Sequence, residues 1–372
     1  VTAVEAPPTS YLSDIEVIER VLAHIDAGTT DQGPRTGRVS GEEYLDPDRF
    51  TREVALLRRL PLAFCPSLAL PAPGTYHARE AAGVPIVVVR DNDGAVRAYR
   101  NSCRHRGTPV VAGSGCARAL VCPFHGWVYA LDGSLSHIPH ADGFPGIDPA
   151  QRGLLPVACR EHAGLVWINQ ERDDFDAIET LPGLMPGQIL IEQKRTTIAC
   201  NWKILTEGFL EGYHIRATHP TTFLPYGYDN LTLLEQNGPH NRITFPFRRI
   251  ESLREKPREQ WKGDGVITTL DHQFPNSVIS RLTSHTAFIA IEPLDPEHSA
   301  MDLYKMATPA PDGSVPANAH RDMEFVENGL REDRAMAEGV QRGLLCRTGD
   351  VIFARYESAL THFHDELHAA LR

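Results

Sequence analysis

The chain has no apolar run long enough to cross a bilayer. Its longest uncharged window, Leu60–Ala78, is broken by Pro61, Pro66, Pro71 and Pro73, whereas a spanning helix needs about 20 unbroken apolar residues. No secretory leader pattern is legible either, so a cytoplasmic location is expected. Positive charge is scarce: a net charge of −11 leaves no basic footprint of the kind that nucleic acids require. No Gly-x-Gly-x-x-Gly follows a strand, which excludes the usual cradle for NAD(P)H. There is no internal repeat. Cysteines number only seven and show no pairing pattern, so Cys65, Cys116, Cys159, Cys200 and Cys346 read as reduced thiols, mostly buried.

The other two cysteines stand in a pattern. Cys103-x-His105 and Cys122-x-x-His125 are separated by the sixteen residues Arg106–Val121, and two thiolates with two imidazoles suit a soft or borderline metal. A structural zinc site usually pairs cysteine with cysteine and histidine with histidine, whereas each loop here offers one of each. The mixed pairing suits a two-iron cluster better, with zinc as the alternative. Gly107, Gly113, Gly115 and Gly126, with Pro109 and Pro123, supply tight loops.

About a hundred residues later comes Glu211-x-x-His214-x4-His219-Pro220. The stretch from Asn201 begins strand-like and is expected to turn helical around Thr206, with Glu207, Leu210, Glu211 and His214 at helical steps, so that Glu211 and His214 share a face. His214 and His219 lie about 140° apart on an ideal helix, so one metal can take both only if the helix yields between them. Pro220 favours such a break. Two unrelated histidines at a helix end are the alternative, as a salt bridge is for Glu211.

Asn101-Ser-Cys103-Arg-His105-Arg-Gly107 and Cys122-Pro-Phe-His125-Gly-Trp127 resemble the cluster loops of Rieske proteins. With the downstream motif, the chain resembles the catalytic subunit of Rieske non-haem iron oxygenases from about residue 45 onward. The resemblance implies one [2Fe-2S] cluster, with Cys103 and Cys122 on one iron and His105 and His125 on the other. It implies a mononuclear Fe(II) on His214, His219 and a late aspartate. Glu332-Asp333-Arg-Ala-Met-Ala-Glu338 resembles the family's segment there, making Asp333 the choice and Glu332 its neighbouring rival. Glu211 matches the acid that links an iron ligand to the second Rieske histidine, His125, of a neighbouring subunit. Family members more often carry aspartate at that position and Glu-Asn where this chain has Glu207-Gly208.

The implied function is that of a terminal oxygenase. A reductase, with or without a ferredoxin, delivers electrons, NAD(P)H being used only through it, and O2 as co-substrate hydroxylates a small organic, aromatic molecule. Oxidative O- or N-demethylation and quaternary-ammonium monooxygenation use the same iron; a Rieske electron carrier is the alternative of a different class. A homotrimer is implied, and neither membrane nor nucleic acid is expected as a partner.

The expected fold class is α+β: a small all-β Rieske domain and a helix-grip catalytic domain with a curved antiparallel sheet and long helices. The expected divisions are an N-terminal helical segment, 1–50, packing on the catalytic domain; the Rieske domain, 51–170; and the catalytic domain, 171–372. Within them, Val1–Ser10 is disorder-prone, Tyr11–Ala27 a helix and Arg35–Glu42 a polar linker. Strands are expected at Gln188–Ile198, Asn241–Ile250, Ser277–Leu282 and Thr286–Ile291, and helices at Ala319–Leu345 and Tyr356–Leu371. His364 and His368 stand one helical turn apart, but the sequence is not His-Glu-x-x-His and reads as a surface or interface helix. Phe209, Tyr213, Phe223 and Tyr226 read as core before substrate contacts. Protein purified without air should carry about three irons and two acid-labile sulfides per chain with a Rieske spectrum; zinc in a colourless preparation would defeat the oxygenase reading.

Overall fold

Short strands joined by tight turns account for Val54–Glu179, one of the two units into which the chain divides; the other joins the chain up to Glu53 with Thr180–Arg372. The structure, a computed structural model, describes residues 11–372, and the disorder-prone reading of Val1–Ser10 lies outside them. The smaller unit holds a seven-stranded antiparallel sheet ordered Leu62–Pro66, Leu165–Asn169, Pro156–His162, Val96–Arg100, Val84–Arg90, Thr75–Ala81, Gly113–Cys116. A second sheet has three short strands, Leu120–Val121, Val128–Tyr129 and Leu135–His137. Ile86 to Val89 are fully buried, so this strand is covered on both faces and reads as a continuous apolar run.

The larger unit contains the described helices α1 (Asp14–Ala27), α2 (Pro47–Arg59, which runs on into the smaller unit), α3 (Trp202–Glu207), α4 (Ile215–Thr218), α5 (Ala317–Leu344) and α6 (Ser358–Ala370). A capping box between Ser13 and Glu16 starts α1, and Gly28 in the left-handed conformation ends it. Its Val17, Ile18, Val21 and Leu22 join a core with Leu231, Leu233, Ile250 and Leu253. The sheet is antiparallel and seven-stranded, ordered Ile189–Ile198, His298–Ala307, Thr286–Asp295, Ser277–Arg281, Ile267–Gln273, His240–Pro246, Leu233–Asn237. Helix α3 packs on the Thr286–Asp295 and His298–Ala307 strands and against α5. The α+β class holds.

Several local expectations need correction. Arg35–Glu42 is not a linker: Gly37–Ser40 pairs with Asp350–Phe353, and Gly41–Tyr44 forms a 3-10 turn. Polar composition misled there because the strand is a two-stranded ribbon with alternating exposed residues. The strand expected to reach Ile250 stops at Pro246, and a 3-10 helix follows at Arg248–Glu255. The helix of the iron motif starts at Trp202, where the Asn201 side chain caps the Lys203 amide, and ends at Glu207, so Glu211 does not share a helix face with His214. Exposed Cys116 and Cys346 depart from the mostly buried reading of the free thiols.

A buried ion pair anchors α3. Lys203 Nζ lies 2.7 Å from Glu53 Oε2, and both side chains are fully buried. Trp202 Nε1 donates to the same oxygen, and Arg49 Nε to the other, each at 2.9 Å. Lys203 has no second anion in ion-pair contact among the described residues, so removing Glu53 strands an ammonium in the core. Glu53→Leu should cost about 3–5 kcal/mol in chemical denaturation, and Lys203→Met less, because Arg49 and Trp202 still hold Glu53.

Candidate iron centres

The two Rieske-like loops are built alike. In each, a glycine four residues after the cysteine returns its N–H to the cysteine carbonyl: Gly107 to Cys103 at 2.8 Å and Gly126 to Cys122 at 3.0 Å. Both glycines have positive φ, 85° and 72°, a conformation that side chains disfavour. The sulfurs are buried within a core containing Val110, Leu120, Trp127 and Tyr129. Tyr129 Oη lies 3.2 Å from Cys103 Sγ and accepts the Arg104 amide at 2.8 Å. Burial pushes the Cys122 thiol up in pKa, while amides of Phe124 and His125 pointing at the sulfur oppose it.

The imidazoles lie outward of the sulfurs. His125 is exposed and His105 half-buried; their ring centroids are 4.6 Å apart, and His105 stacks on Trp127. Burial, then the neighbouring His125 and Arg106, lowers the His105 pKa, favouring the neutral ring. Its Nδ1 is buried without a hydrogen-bond partner. Two inward thiols and two adjacent imidazoles, one with an orphaned nitrogen, fit a cluster with mixed ligation.

In the larger unit, His214, His219 and Asp333 bring one ligand atom each within 4.8 Å of one another. Helix α4 lasts a single turn, with His214 immediately before it and His219 immediately after. Asp333 Oδ1, from α5, lies 3.5 Å from His214 Nε2 and 2.8 Å from His219 Nε2. The short contact does not have hydrogen-bond geometry, and the fully buried His219 Nε2 has no hydrogen-bond partner among the described residues. Two ring nitrogens and a carboxylate oxygen directed at a common point, not at one another, fit a facial three-ligand iron site.

The far side of each ring meets a second carboxylate. His214 Nδ1 donates to Glu211 Oε1, and His219 Nδ1 to Glu332 Oε2 at 2.7 Å. Glu211 is itself held by the Tyr213 and His214 amides. Thr222 Oγ1 donates to Glu332 at 2.6 Å. These contacts put the proton on Nδ1 and leave Nε2 as the free lone pair. Burial alone would lower the His214 pKa, but the Glu211 bond and the charges of Glu211, Asp333 and Glu357 raise it. Burial opposes ionisation of Glu332, and the bonds from Thr222 and His219 outweigh it, holding its carboxyl below the usual range. Sequence reading weighed Glu332 as a rival ligand and missed this orienting position.

A cavity of about 170 Å³ adjoins His214 and Asp333, lined by Phe209, Phe223, Tyr226, Tyr228, Phe245, Phe247, Phe325 and aliphatic residues, with Glu211, Thr268 and Ser280 as polar points and, among the described residues, no lysine or arginine. Three of the four aromatics read as core before substrate contacts thus line it; Tyr213 instead is exposed and rests on Tyr356. Phe223 stands 4.5 Å from the His219 ring.

Comparison with known families decides the class. Residues 61–152 match the Rieske [2Fe-2S] domain, and residues 189–372 match the catalytic domain of the ring-hydroxylating alpha subunit. The chain belongs to the Rieske oxygenase alpha subunits. This oxygenase is 26% identical to spinach (Spinacia oleracea) choline monooxygenase over 329 residues, covering 81% of the chain and 70% of the relative. It is 34% identical to the carnitine monooxygenase oxygenase subunit of Escherichia coli K12 over 156 residues, covering 39% and 42%. Its fold matches the quaternary ammonium Rieske monooxygenase CntA in complex with L-carnitine with a TM-score of 0.78 at 20% identity, over 99% and 100% of the two chains. Naphthalene 1,2-dioxygenase from Rhodococcus sp. bound to indole gives 0.73 at 17% identity, over 96% and 98%. As a terminal component, the oxygenase uses a [2Fe-2S] cluster, a mononuclear iron and O2. Among its described residues no helix is long and apolar enough to cross a membrane.

Asp333→Ala should lose the mononuclear iron and keep the Rieske spectrum. Glu332→Ala should keep three ligands and weaken iron binding by roughly 10–100-fold. Iron per chain and visible absorption check both, and full iron occupancy in Asp333→Ala would reassign the third ligand.

Proposed function

We propose that this chain hydroxylates a small organic substrate carrying no anionic group, with His214, His219 and Asp333 holding Fe(II) and Cys103, His105, Cys122 and His125 holding the [2Fe-2S] cluster. Bound in these places, the cluster supplies single electrons and the iron activates O2. Glu211 and Glu332 fix the two rings. Glu211 also stands as the link from His214 to His125 of a second copy in a homotrimer, which a reductase, with or without a ferredoxin, serves in the cytoplasm.

The observation that carries the substrate reading is the cavity lining, mainly aromatic and aliphatic, with no lysine or arginine among the described residues beside the proposed iron ligands. Apart from the iron itself, a carboxylate entering it would find no cation among the described lining residues, so it would lose water with no side-chain partner to replace it. Aromatic faces suit a neutral ring by stacking and a quaternary ammonium by cation–π attraction. Both fit; the zwitterion of the carnitine-oxidising relative does not.

Substrate-dependent O2 uptake with a reductase and product analysis tests this, comparing indole, choline and L-carnitine. Carnitine should have a kcat/KM at least about 10²-fold below the better of the other two; carnitine as the best of the three would refute the reading.

A further inference from the structure

The sequence Thr361-His362-Phe-His364-Asp-Glu-Leu-His368 is expected on a surface or interface helix, and within it His364 is 2% exposed. Its Nε2 donates to Glu207 Oε1 at 2.8 Å, and Tyr44 Oη donates to the same oxygen at 2.8 Å. Tyr44 and His364 are themselves 3.3 Å apart. Tyr44 and Glu207 are 1% and 9% exposed, so three titratable groups from three elements meet inside the protein. His364 Nδ1 is buried without a hydrogen-bond partner among the described residues. Burying such a set costs more than burying an apolar one, and packing alone does not call for it.

The set lies between an exposed edge and the ligand loop. Outward, the His364 ring is 6.2 Å from that of His368. His368 Nε2 bonds Glu43 Oε2 at 2.7 Å with its side chain 31% exposed, and Arg49 holds Glu43 at 3.0 Å. Inward, Glu207 ends α3 and precedes Gly208, which lines the iron cavity. Glu357 faces Glu207, Glu211 and His214 together, and Lys203 also faces Glu207 from α3.

On the reading that the chain is an O2-using hydroxylase, every turnover consumes two electrons and two protons. Hydroxylation of a C–H bond breaks O–O, puts one oxygen in the new C–O–H and releases the other as water; cis-dihydroxylation puts both in the product. The electrons come from the reductase and the protons from bulk water. The cavity lining is mainly apolar and makes a poor proton path.

We propose that His364, Glu207 and Tyr44 relay protons from the His368–Glu43 edge toward the loop carrying Glu211 and His214. His364 gives the proton from Nε2 to Glu207 Oε1 and takes its replacement at Nδ1 from bulk water at the edge; Glu207 releases the proton to water beside Gly208 and returns to the carboxylate, and a turn of the His364 ring restores the Nε2–H. The Tyr44 hydroxyl holds the receiving oxygen in place. These groups act through the loop and do not touch the substrate.

Glu207→Gln keeps the shape and an acceptor for Tyr44 but cannot carry the proton. It should retain both metals and its melting temperature, lose turnover by about 10²-fold, show a larger H2O/D2O isotope effect and release more peroxide per O2. Independently of turnover, 15N NMR of the metal-loaded protein should show the His364 proton held on Nε2 by Glu207 as a downfield, exchange-protected N–H, and Glu207→Gln should reduce that protection by at least about tenfold. Wild-type turnover and isotope effect in Glu207→Gln would overturn the relay. So would an Nε2–H signal whose position and exchange are unchanged in Glu207→Gln, or losses of metal and stability with an unchanged isotope effect, which mark a structural role. If the wild type takes up no O2 with any substrate, the oxygenase reading fails, and the NMR comparison still judges the proton-sharing pair.

Discussion

A neutral imidazole offers a metal one lone pair, and which nitrogen carries it depends on what holds the other. The larger unit is organised around that choice. Glu211 takes the Nδ1 proton of His214, Glu332 takes that of His219, and both Nε2 atoms turn toward Asp333. The three carboxylates come from two places, the loop after α3 and the middle of α5, so the site exists only while these elements stay in register. The Glu53–Lys203 pair fixes α3, which precedes the loop. Adjacent residues of α5 take opposite duties because successive helical positions diverge by about 100°: Asp333 meets the inner nitrogens and Glu332 an outer one.

The Rieske-like loops were legible because their geometry is local. Cysteine, histidine and glycine at short spacings both make the turns and supply the proposed ligands, and Gly107 and Gly126 repeat the same hydrogen bond. The long amphipathic α5 and α6 were legible for a related reason, since their periods run over many turns. The break after Glu207 was not. Glu207, Leu210, Glu211 and His214 keep helical spacing, but the side chain of Glu211 captures the Tyr213 and His214 amides in place of a continued helix. Such competition between side chain and backbone leaves no trace in a periodic pattern.

Tertiary partners account for the other misses. Helix α6 looked polar because it carries three histidines among acids, and only the arrival of Tyr44 and Glu207 makes a buried His364 tolerable. The Gly37–Ser40 strand is defined by pairing with a segment more than three hundred residues away. Glu332 could not be told from Asp333 without knowing which faced His219 Nδ1.

Gly329, one turn before Asp333 on α5, leaves the space that the Phe223 ring fills: a methyl group there would come within 2.1 Å of Phe223 Cζ. The same ring lines the cavity and lies against His219. A single absent methyl therefore joins two properties that an enzyme lineage would gain by varying separately, the room in the cavity and the packing that holds the His219 ring. Any side chain at 329 that reshapes the cavity must also loosen the wall behind the metal, so new specificities are more accessible through the strand positions Thr268, Ser280 and Ala287 on the sheet side of the cavity.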